Sequence, residues 1–385
     1  MSRTAEPKRC GTACQFIRPN YPAMERAVHG RARDSERPDE NHFGPFQRML
    51  TARLSAPLAG AQWSGITTRL AARLLESGAV DAVLTMRSAA DNRWQPEPVL
   101  VTDPAELATC RGMKMGYAPL LALLEPAIAR GLTRVAVVGI PCQVYPLRAI
   151  QATLGLERLY VIGTPCSDNT HTKSFEDFLA RLSDEPESIV YLEFLTDYHV
   201  EIRFADGRRR RIPFLSLPIA DLPSDFFPLT CRTCVDYTNV LADITVGYMG
   251  GDGQQWLLVR NDRGAEMLEL LAGELDLAAP ISRGRRQGPV RGFLENTRRA
   301  AGGLPVRRAP RWVRPLISWL MPRTGPRGVE FARARVEMKA VETVLHLRRQ
   351  LPKRLKSMVP AHVWALTKAY GLVPADAESN DENTR

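Results

Sequence analysis

Cys231 and Cys234 open the segment CRTCVDYTNVLADITVGYMGG, residues 231–251. A Cys-x-x-Cys turn lets two thiolates reach one metal centre from a single loop, but a zinc ribbon needs a second Cys or His pair nearby. None follows, since the next histidine is His346. A thioredoxin-like pair would lie after a strand at a helix start, whereas this one precedes the strand-like ADITVGY. The remaining partners are Cys142 in GIPCQV and Cys166 in GTPCSDN, two Gly-x-Pro-Cys turns that each follow an apolar run. If those runs are neighbouring parallel strands, both turns emerge at the same sheet edge. Four thiolates gathered in this way match the usual coordination of a 4Fe–4S cluster. The alternative is that Cys142 and Cys166 are small hydrophobes buried at strand ends.

The positioning elements are legible from periodicity. TTRLAARLLESG reads as a helix with Leu70, Leu74 and Leu75 on one side and Gly78 as its stop. Strand-like DAVLTM, TRVAVVGIP and LERLYVIGTP alternate with helix-like PLLALLEPAIARG, QVYPLRAIQATLG and TKSFEDFLARL. Repeated units of this kind predict an α/β fold, with a mostly parallel central sheet, flanking helices and iron–sulfur-binding loops. Near residues 188–215 the pattern changes to alternation across Asp206-Gly207, predicting a β-hairpin insertion. The α/β pattern resumes with ADITVGY, QWLLVRN and GAEMLELLAGEL. The expected organisation is a Cys-containing arm over 1–45, a catalytic region over 46–285, a basic helical extension over 286–375 and a disordered tail over 376–385. Regular structure is expected to begin only after GAQWSGITT.

At 385 residues and 44% hydrophobic composition, the chain can bury a core of more than one domain. No apolar run approaches the ~18 residues of a membrane-spanning helix. The N-terminal residues lack the basic-then-apolar order of a secretory signal, so a cytoplasmic location is expected. Seven cysteines in a reducing compartment then argue for metal, redox chemistry or plain burial rather than disulfides. The net charge of +10 is concentrated in the C-terminal third, in SRGRRQGPVRG, RRAPRWVRPLISWLMPRTGPRG and LRRQLPKRLK. Such a surface attracts acidic proteins or anionic lipid. Stacking aromatics are not interleaved regularly enough for nucleic acid, which is expected not to bind. Trp312 and Trp319 among arginines suit a peripheral membrane association.

Small and polar residues flank the cysteines. Asn239, Ala242, Asp243 and Gly247 let a planar ligand or phosphate approach the backbone, although Asp243 reads equally as a strand-end cap. QWSGITT places a glycine and hydroxyls before a helix start, a natural anion site, and CRGMKMGYAP adds Gly112 and Lys114. Neither matches a dinucleotide or P-loop fingerprint, so the nucleotide type is not given by them.

The succession SGITTRLAARLLESGAVDAVL, GIPCQVYPLRAI, GTPCSDN and CRTCVDYTNVLADITVGYMG resembles the deazaflavin-coenzyme hydrogenase/dehydrogenase beta-subunit family over about residues 45–275. CQFIRPNYPAMERAVHGRARD, FGPFQRMLTARL and DFFPLTCRTCVDYTNVLADITVGYMGG are closer to its chlorophyll-pathway branch. That branch includes ferredoxin-dependent divinyl chlorophyllide 8-vinyl reductases and 7-hydroxymethyl chlorophyll reductases. The resemblance implies FAD contacted by Ser64, Gly65, Thr67, Thr68, Lys114, Asn239, Ala242 and Asp243, and a 4Fe–4S cluster on Cys142, Cys166, Cys231 and Cys234. The cysteine set also follows from spacing; the flavin set rests on the resemblance.

It further implies a second cluster involving Cys10 and Cys14. The branch supplies that cluster from an additional Cys-x-x-Cys-Gly, and the residues ahead of Cys10, MSRTAEPKR, contain no such pair. The second cluster is therefore incomplete, differently ligated or absent, or the start lies further upstream. In a bland reading Cys10 and Cys14 are arm residues.

The implied chemistry is reduction of a vinyl group on a tetrapyrrole, divinyl chlorophyllide, with electrons from reduced ferredoxin passing through cluster and FAD. Asp168, His171 and His199 are acid candidates by their nearness to the site loops. The basic C-terminal region would steer an acidic ferredoxin, and a location peripheral at the photosynthetic membrane would suit the pigment. A homo-oligomer is compatible with the sequence. The alternatives are hydroxymethyl-chlorophyll reduction, a deazaflavin-dependent subunit, and a non-enzymatic cluster-bearing adaptor without flavin.

Overall fold

The computed structural model describes residues 13–195, 197–247, 254–304, 310–376 and 378. Cys10, Arg307 and Arg308, Gly250 and Gly251 of the glycine-rich segment, and most of the tail lie outside the described residues.

Eleven strands carry the argument: β1 (Arg48–Leu54), β2 (Ala82–Ser88), β3 (Pro96–Val101), β4 (Arg134–Gly139), β5 (Arg158–Gly163), β6 (Ile189–Phe194), β7 (His199–Phe204), β8 (Arg209–Pro213), β9 (Ile244–Gly247), β10 (Gln255–Val259) and β11 (Leu275–Ala278). Eight of them form one sheet in the order β11-β1-β10-β9-β5-β4-β2-β3. Its centre, β9-β5-β4-β2, pairs in parallel, and antiparallel strands extend it on both sides. Continuous apolar runs such as VAVV in β4 and YVI in β5 are what a strand covered on both faces requires. Every residue of β9 and β10 is buried, whereas the edge strand β11 is largely exposed.

The helix Ile66–Glu76 starts at Gly65, whose φ of 93° is left-handed, and lays Ile66, Leu70 and Leu74 on the sheet. Pro141 opens the helix Pro141–Ile150 at its first position, where a missing N–H costs nothing. The insertion is a three-stranded antiparallel sheet, β6-β7-β8, one strand more than a hairpin.

Regular structure begins earlier than GAQWSGITT. The helix Tyr21–His29 and β1 precede that stretch, and β1 pairs with both β10 and β11. In β1, Ala52 and Leu54 face inward while Arg48 and Arg53 stay exposed, a short alternation that its arginines conceal. Residues 13–47 pack on the body. Arg33 pairs with the fully buried Glu25, Arg333 reaches Asp39 at 2.6 Å, and His42 meets Glu337 at 2.9 Å.

The segment 286–375 also enters the core. The helix Val329–Gln350 buries Val336, Ala340, Val341, Val344 and Leu347 in one cluster with Phe43 and Trp256. Its charged residues look like a solvated face in sequence but are neutralised internally. Glu337 is an example, held by His42, Arg286 at 2.9 Å and the Tyr370 hydroxyl at 2.5 Å. Beyond it, Glu378 accepts from Arg348 at 2.6 Å.

Candidate functional site

The C-terminal ends of β4 and β5 deliver the two Gly-x-Pro-Cys turns side by side. Gly163 is obligatory there, because a Cβ on it would lie 2.5 Å from the Ala242 Cβ and 2.8 Å from the Asn239 Cγ. Gly247, at the end of β9, likewise leaves room for Pro165. The Cys231/Cys234 turn docks on this edge: the Cys166 N–H donates to the Tyr237 carbonyl at 3.0 Å, and the Cys234 N–H to the Cys231 carbonyl at 3.1 Å.

The four thiols sense one another. Burial pushes the Cys142 thiol up to about 12, with charge on Cys231 adding to it. Burial raises Cys166 well above the usual thiol range, reinforced by Cys142, Cys231 and Cys234, and burial also raises Cys234 and Cys231. Cys142 sits in the first turn of a helix, where the dipole favours a thiolate, yet burial wins. Buried thiols that raise each other's pKa become thiolates only when a cation compensates them. Among the described residues, no three His, Cys, Asp or Glu side chains are drawn together as ligands of one ion. Cys142, Cys166, Cys231 and Cys234 reach this edge from three segments, and four thiols are the donor set that a 4Fe–4S cluster takes.

The surroundings hold these segments in place. The Tyr117 hydroxyl lies 3.6 Å from the Cys231 sulfur and donates to the Asn169 carbonyl at 2.9 Å. Asn169 in turn brackets Gly116, accepting from its N–H at 3.2 Å and donating to its carbonyl at 2.7 Å. From the Val329–Gln350 helix, Lys339 donates to the Cys231 carbonyl at 2.9 Å, to Asp168 at 2.9 Å and to Glu342 at 2.7 Å. Thr343 donates to the Cys234 carbonyl at 3.2 Å, and Arg335 to Ser167 at 2.8 Å.

Burial opposes the Lys339 charge, but Asp168 and Glu342 outweigh it and hold the ammonium above its ordinary range. Sequence reading missed Lys339, Thr343, Arg335 and Tyr117; its one available signal was a lysine amid the apolar positions of that helix. Lys339→Met leaves two carboxylates facing each other without their cation. The expected loss is about 3 kcal/mol, the lower end for a broken buried pair because Asp168 retains 20% side-chain exposure. Urea unfolding compared with wild type measures it.

Asp168 is thus a partner of Lys339. His171 stacks edge-on to Tyr117 with ring centroids 5.1 Å apart, and His199 lies in the insertion sheet against Asp197 at 3.1 Å. Cys14 lies near enough for its charge to reach Cys142 and Tyr145, and its neighbour Gln15 donates to the Cys234 sulfur at 3.7 Å. Cys110 stands apart; its electrostatic neighbours are Lys114, Arg87 and Glu106.

The residues expected at a flavin divide into two groups. Gly65, Thr67 and Thr68 form the start of an eleven-residue helix beside β10. The Ser64 hydroxyl there donates to Gln255 Oε1 at 2.9 Å, and Gln255 Oε1 also accepts from the Ile66 N–H at 3.0 Å. Lys114 folds back on the carbonyls of Cys110 at 2.6 Å and Arg111 at 2.9 Å, and burial lowers its pKa to about 8.

Asn239, Ala242 and Asp243 are fully buried behind the cysteine edge. Asn239, with φ 58°, donates to the Gly139 carbonyl at 2.7 Å, and its Oδ1 is a buried oxygen with no hydrogen-bond partner among the described residues. Asp243 accepts from the Val161 N–H at 2.7 Å, from Asn261 at 2.8 Å and from Arg263 at 3.0 Å. Arg148 lies 2.8 Å from it as an ion pair, without the alignment of a hydrogen bond. This carboxylate works inside the protein, closer to the strand-end alternative than to a ligand contact.

Comparison with known proteins places this architecture. Residues 49–125 match the N-terminal part, and residues 132–282 the C-terminal part, of the coenzyme F420 hydrogenase/dehydrogenase beta subunit. The chain is 37% identical to an uncharacterized protein of Nostoc over 94% of its length and 89% of that protein's. It is 38% identical to the chloroplastic 7-hydroxymethyl chlorophyll a reductase of rice, covering 90% of this chain and 76% of the relative. A chain of the F420-reducing NiFe hydrogenase complex of Methanosarcina barkeri shares the fold, with TM-score 0.56 at 24% identity over 64% of this chain and 85% of that one. With both halves of the family matched and a chlorophyll reductase aligned along most of its length, the chain belongs to the coenzyme F420 hydrogenase/dehydrogenase beta-subunit family, in its chlorophyll-pathway branch.

Proposed function

We propose that the protein is an iron–sulfur flavoprotein that reduces the 8-vinyl group of a divinyl chlorophyllide to ethyl, drawing electrons from reduced ferredoxin. The observation that carries this reading is the convergence of Cys142, Cys166, Cys231 and Cys234 on one sheet edge. A set of part-buried thiols of raised pKa with a lysine tied behind them suits an electron-transfer centre better than a nucleophile, which would need a lowered pKa. Kinship with a chlorophyll reductase supports the tetrapyrrole as substrate.

Cys142, Cys166, Cys231 and Cys234 would hold the cluster, and the Tyr117 hydroxyl is placed to tune it through the Cys231 sulfur. Cys14 would belong to any second centre. For FAD the fit is partial. Gly65, Thr67 and Thr68 offer a helix start to a diphosphate, and the unpartnered Asn239 Oδ1 is an acceptor in want of a donor, whereas Ser64, Lys114 and Asp243 are engaged internally. When bound, a flavin supplies the change from single-electron delivery to the electron pair that a C=C reduction needs. The four cysteines are part-exposed at this edge, and Asp168 and Lys339 fix the loop that carries Cys166.

The name of the rice relative favours a second reading, reduction of a 7-hydroxymethyl group, by the same parts with a different pigment orientation. An anaerobic assay with reduced ferredoxin and each pigment, resolved by chromatography, separates the two. Monovinyl product is expected. Product from the hydroxymethyl pigment alone would move the assignment to the second reading. No product from protein that holds iron and flavin would sink the tetrapyrrole reading and favour a deazaflavin, and iron without flavin would favour the adaptor.

A further inference from the structure

The helix Arg314–Thr324 is apolar on two faces. Val313, Ile317 and Met321 form one half-buried row, and the helix rests on the Phe214–Ser216 turn. Trp312, Leu316, Trp319 and Leu320 form a second row, exposed by 83, 62, 57 and 44%. No residue of this helix is buried. Helical spacing explains the first row as packing; nothing described in the protein covers the second. Phe194, 41% exposed on the insertion sheet, packs edge-on against Phe214 of that turn at 5.6 Å. The far end of the helix is fixed by the Tyr198 hydroxyl, which donates to the Pro326 carbonyl at 2.5 Å.

The segment that carries this row has charge of one sign in sequence. Between Glu295 and Glu330 lie Arg298, Arg299, Arg307, Arg308, Arg311, Arg314, Arg323 and Arg327, and no acidic residue. The Arg323 guanidinium stacks over the Trp319 ring at 4.0 Å.

We infer that this helix lies flat on an anionic lipid bilayer, its tryptophan and leucine row in the headgroup–acyl boundary and its arginines among the phosphates. Exposed Trp and Leu beside arginines are the composition of an interfacial helix. A helix of this length covers about 16 Å of surface, and a single row of such side chains anchors reversibly rather than inserting. Among the described residues no helix is long and apolar enough to cross a membrane. A second copy of the chain is a poor occupant, because it would set arginines against arginines. An acidic protein would satisfy the arginines but leaves the outward tryptophan and leucine row without a reason.

The test uses the full chain and sedimented vesicles of phosphatidylcholine with or without phosphatidylglycerol. Binding only to the anionic vesicles is expected, weakening as salt rises, and about tenfold weaker for the double variant Leu316→Ser, Trp319→Ser. Thermal melting identical to wild type shows that the variant is folded. Should it not fold, quenching of wild-type tryptophan fluorescence by brominated phosphatidylglycerol, and its reduction in Trp312→Ser, decide the matter.

Failure of wild type to bind anionic vesicles, or equal binding by a folded double variant, overturns the inference. So does loss of self-association in the variant without any lipid binding, which would assign the row to a second copy. A raised KM for an acidic donor protein with unchanged lipid binding would assign it to that partner.

Discussion

Cys166→Ser is expected to strip the protein of cluster iron and to lower turnover at least about a hundredfold. Removing a residue that only supports a ligand already costs a 10- to 100-fold loss of metal affinity or activity, and a direct ligand should cost more. Cys166 is the informative choice because it feels the charges of Cys142, Cys231 and Cys234. Serine preserves its volume nearly unchanged, and the backbone link from its N–H to the Tyr237 carbonyl does not depend on the side chain. Folding should therefore survive, and the loss should appear as iron per chain and as visible absorption. Cys110→Ser provides the contrast. That thiol neighbours Lys114, Arg87 and Glu106, and its loss should leave iron content at the wild-type level. Full iron in Cys166→Ser would remove the centre from this sheet edge.

The parts of the fold that were legible are those where one physical demand dominates. The central strands declare themselves because a doubly covered strand must be apolar throughout, as in VAVV of β4. The second Gly-x-Pro-Cys turn is legible for a related reason: Gly163 answers a close contact that no side chain could share, and Gly247 on the neighbouring strand leaves room for its Pro165.

What stayed hidden depends on partners far away in the chain. Lys339 reads as a solvated helix charge until Asp168, 171 positions earlier, is brought to 2.9 Å. The arginines of β1 mask an alternation only a few residues long, and residues 13–47 show as a polar arm because Glu25 and Arg33 are buried as a pair. Charge patterning in sequence reports composition, and only the fold assigns each charge its counter-ion. The same applies to Asp243, whose position beside a flavin-like motif suggests a ligand, whereas its oxygens are filled from inside.

Asp243→Asn tests that reassignment, and the expected result is a loss of about 3–5 kcal/mol with little change in flavin affinity of the folded protein. Asp243 and Arg148 both have side-chain exposure of 0%, and Arg263 and Asn261 also converge on the carboxylate. An amide of the same shape keeps the volume but leaves the Arg148 guanidinium without its counter-charge in the core. A chain of this size should lose about 5 °C of Tm.

The pH dependence gives an independent signature. Burial would raise the Asp243 pKa, but Arg148 and Arg263 overcome it and hold the carboxyl below its ordinary value. A depressed folded pKa means that this stabilisation is complete above the unfolded value of about 4 and is lost as pH falls through the folded one. The gap between wild type and Asp243→Asn should therefore be constant from neutral pH down to about 5 and narrow below about 4, as read by urea unfolding. Unaltered stability together with lost flavin would return Asp243 to the cofactor. Lost stability with flavin retained below the melting transition would make it the ion that locks β5, β9 and the Pro141–Ile150 helix behind the cysteines, a positioning role that no ligand contact is needed to explain.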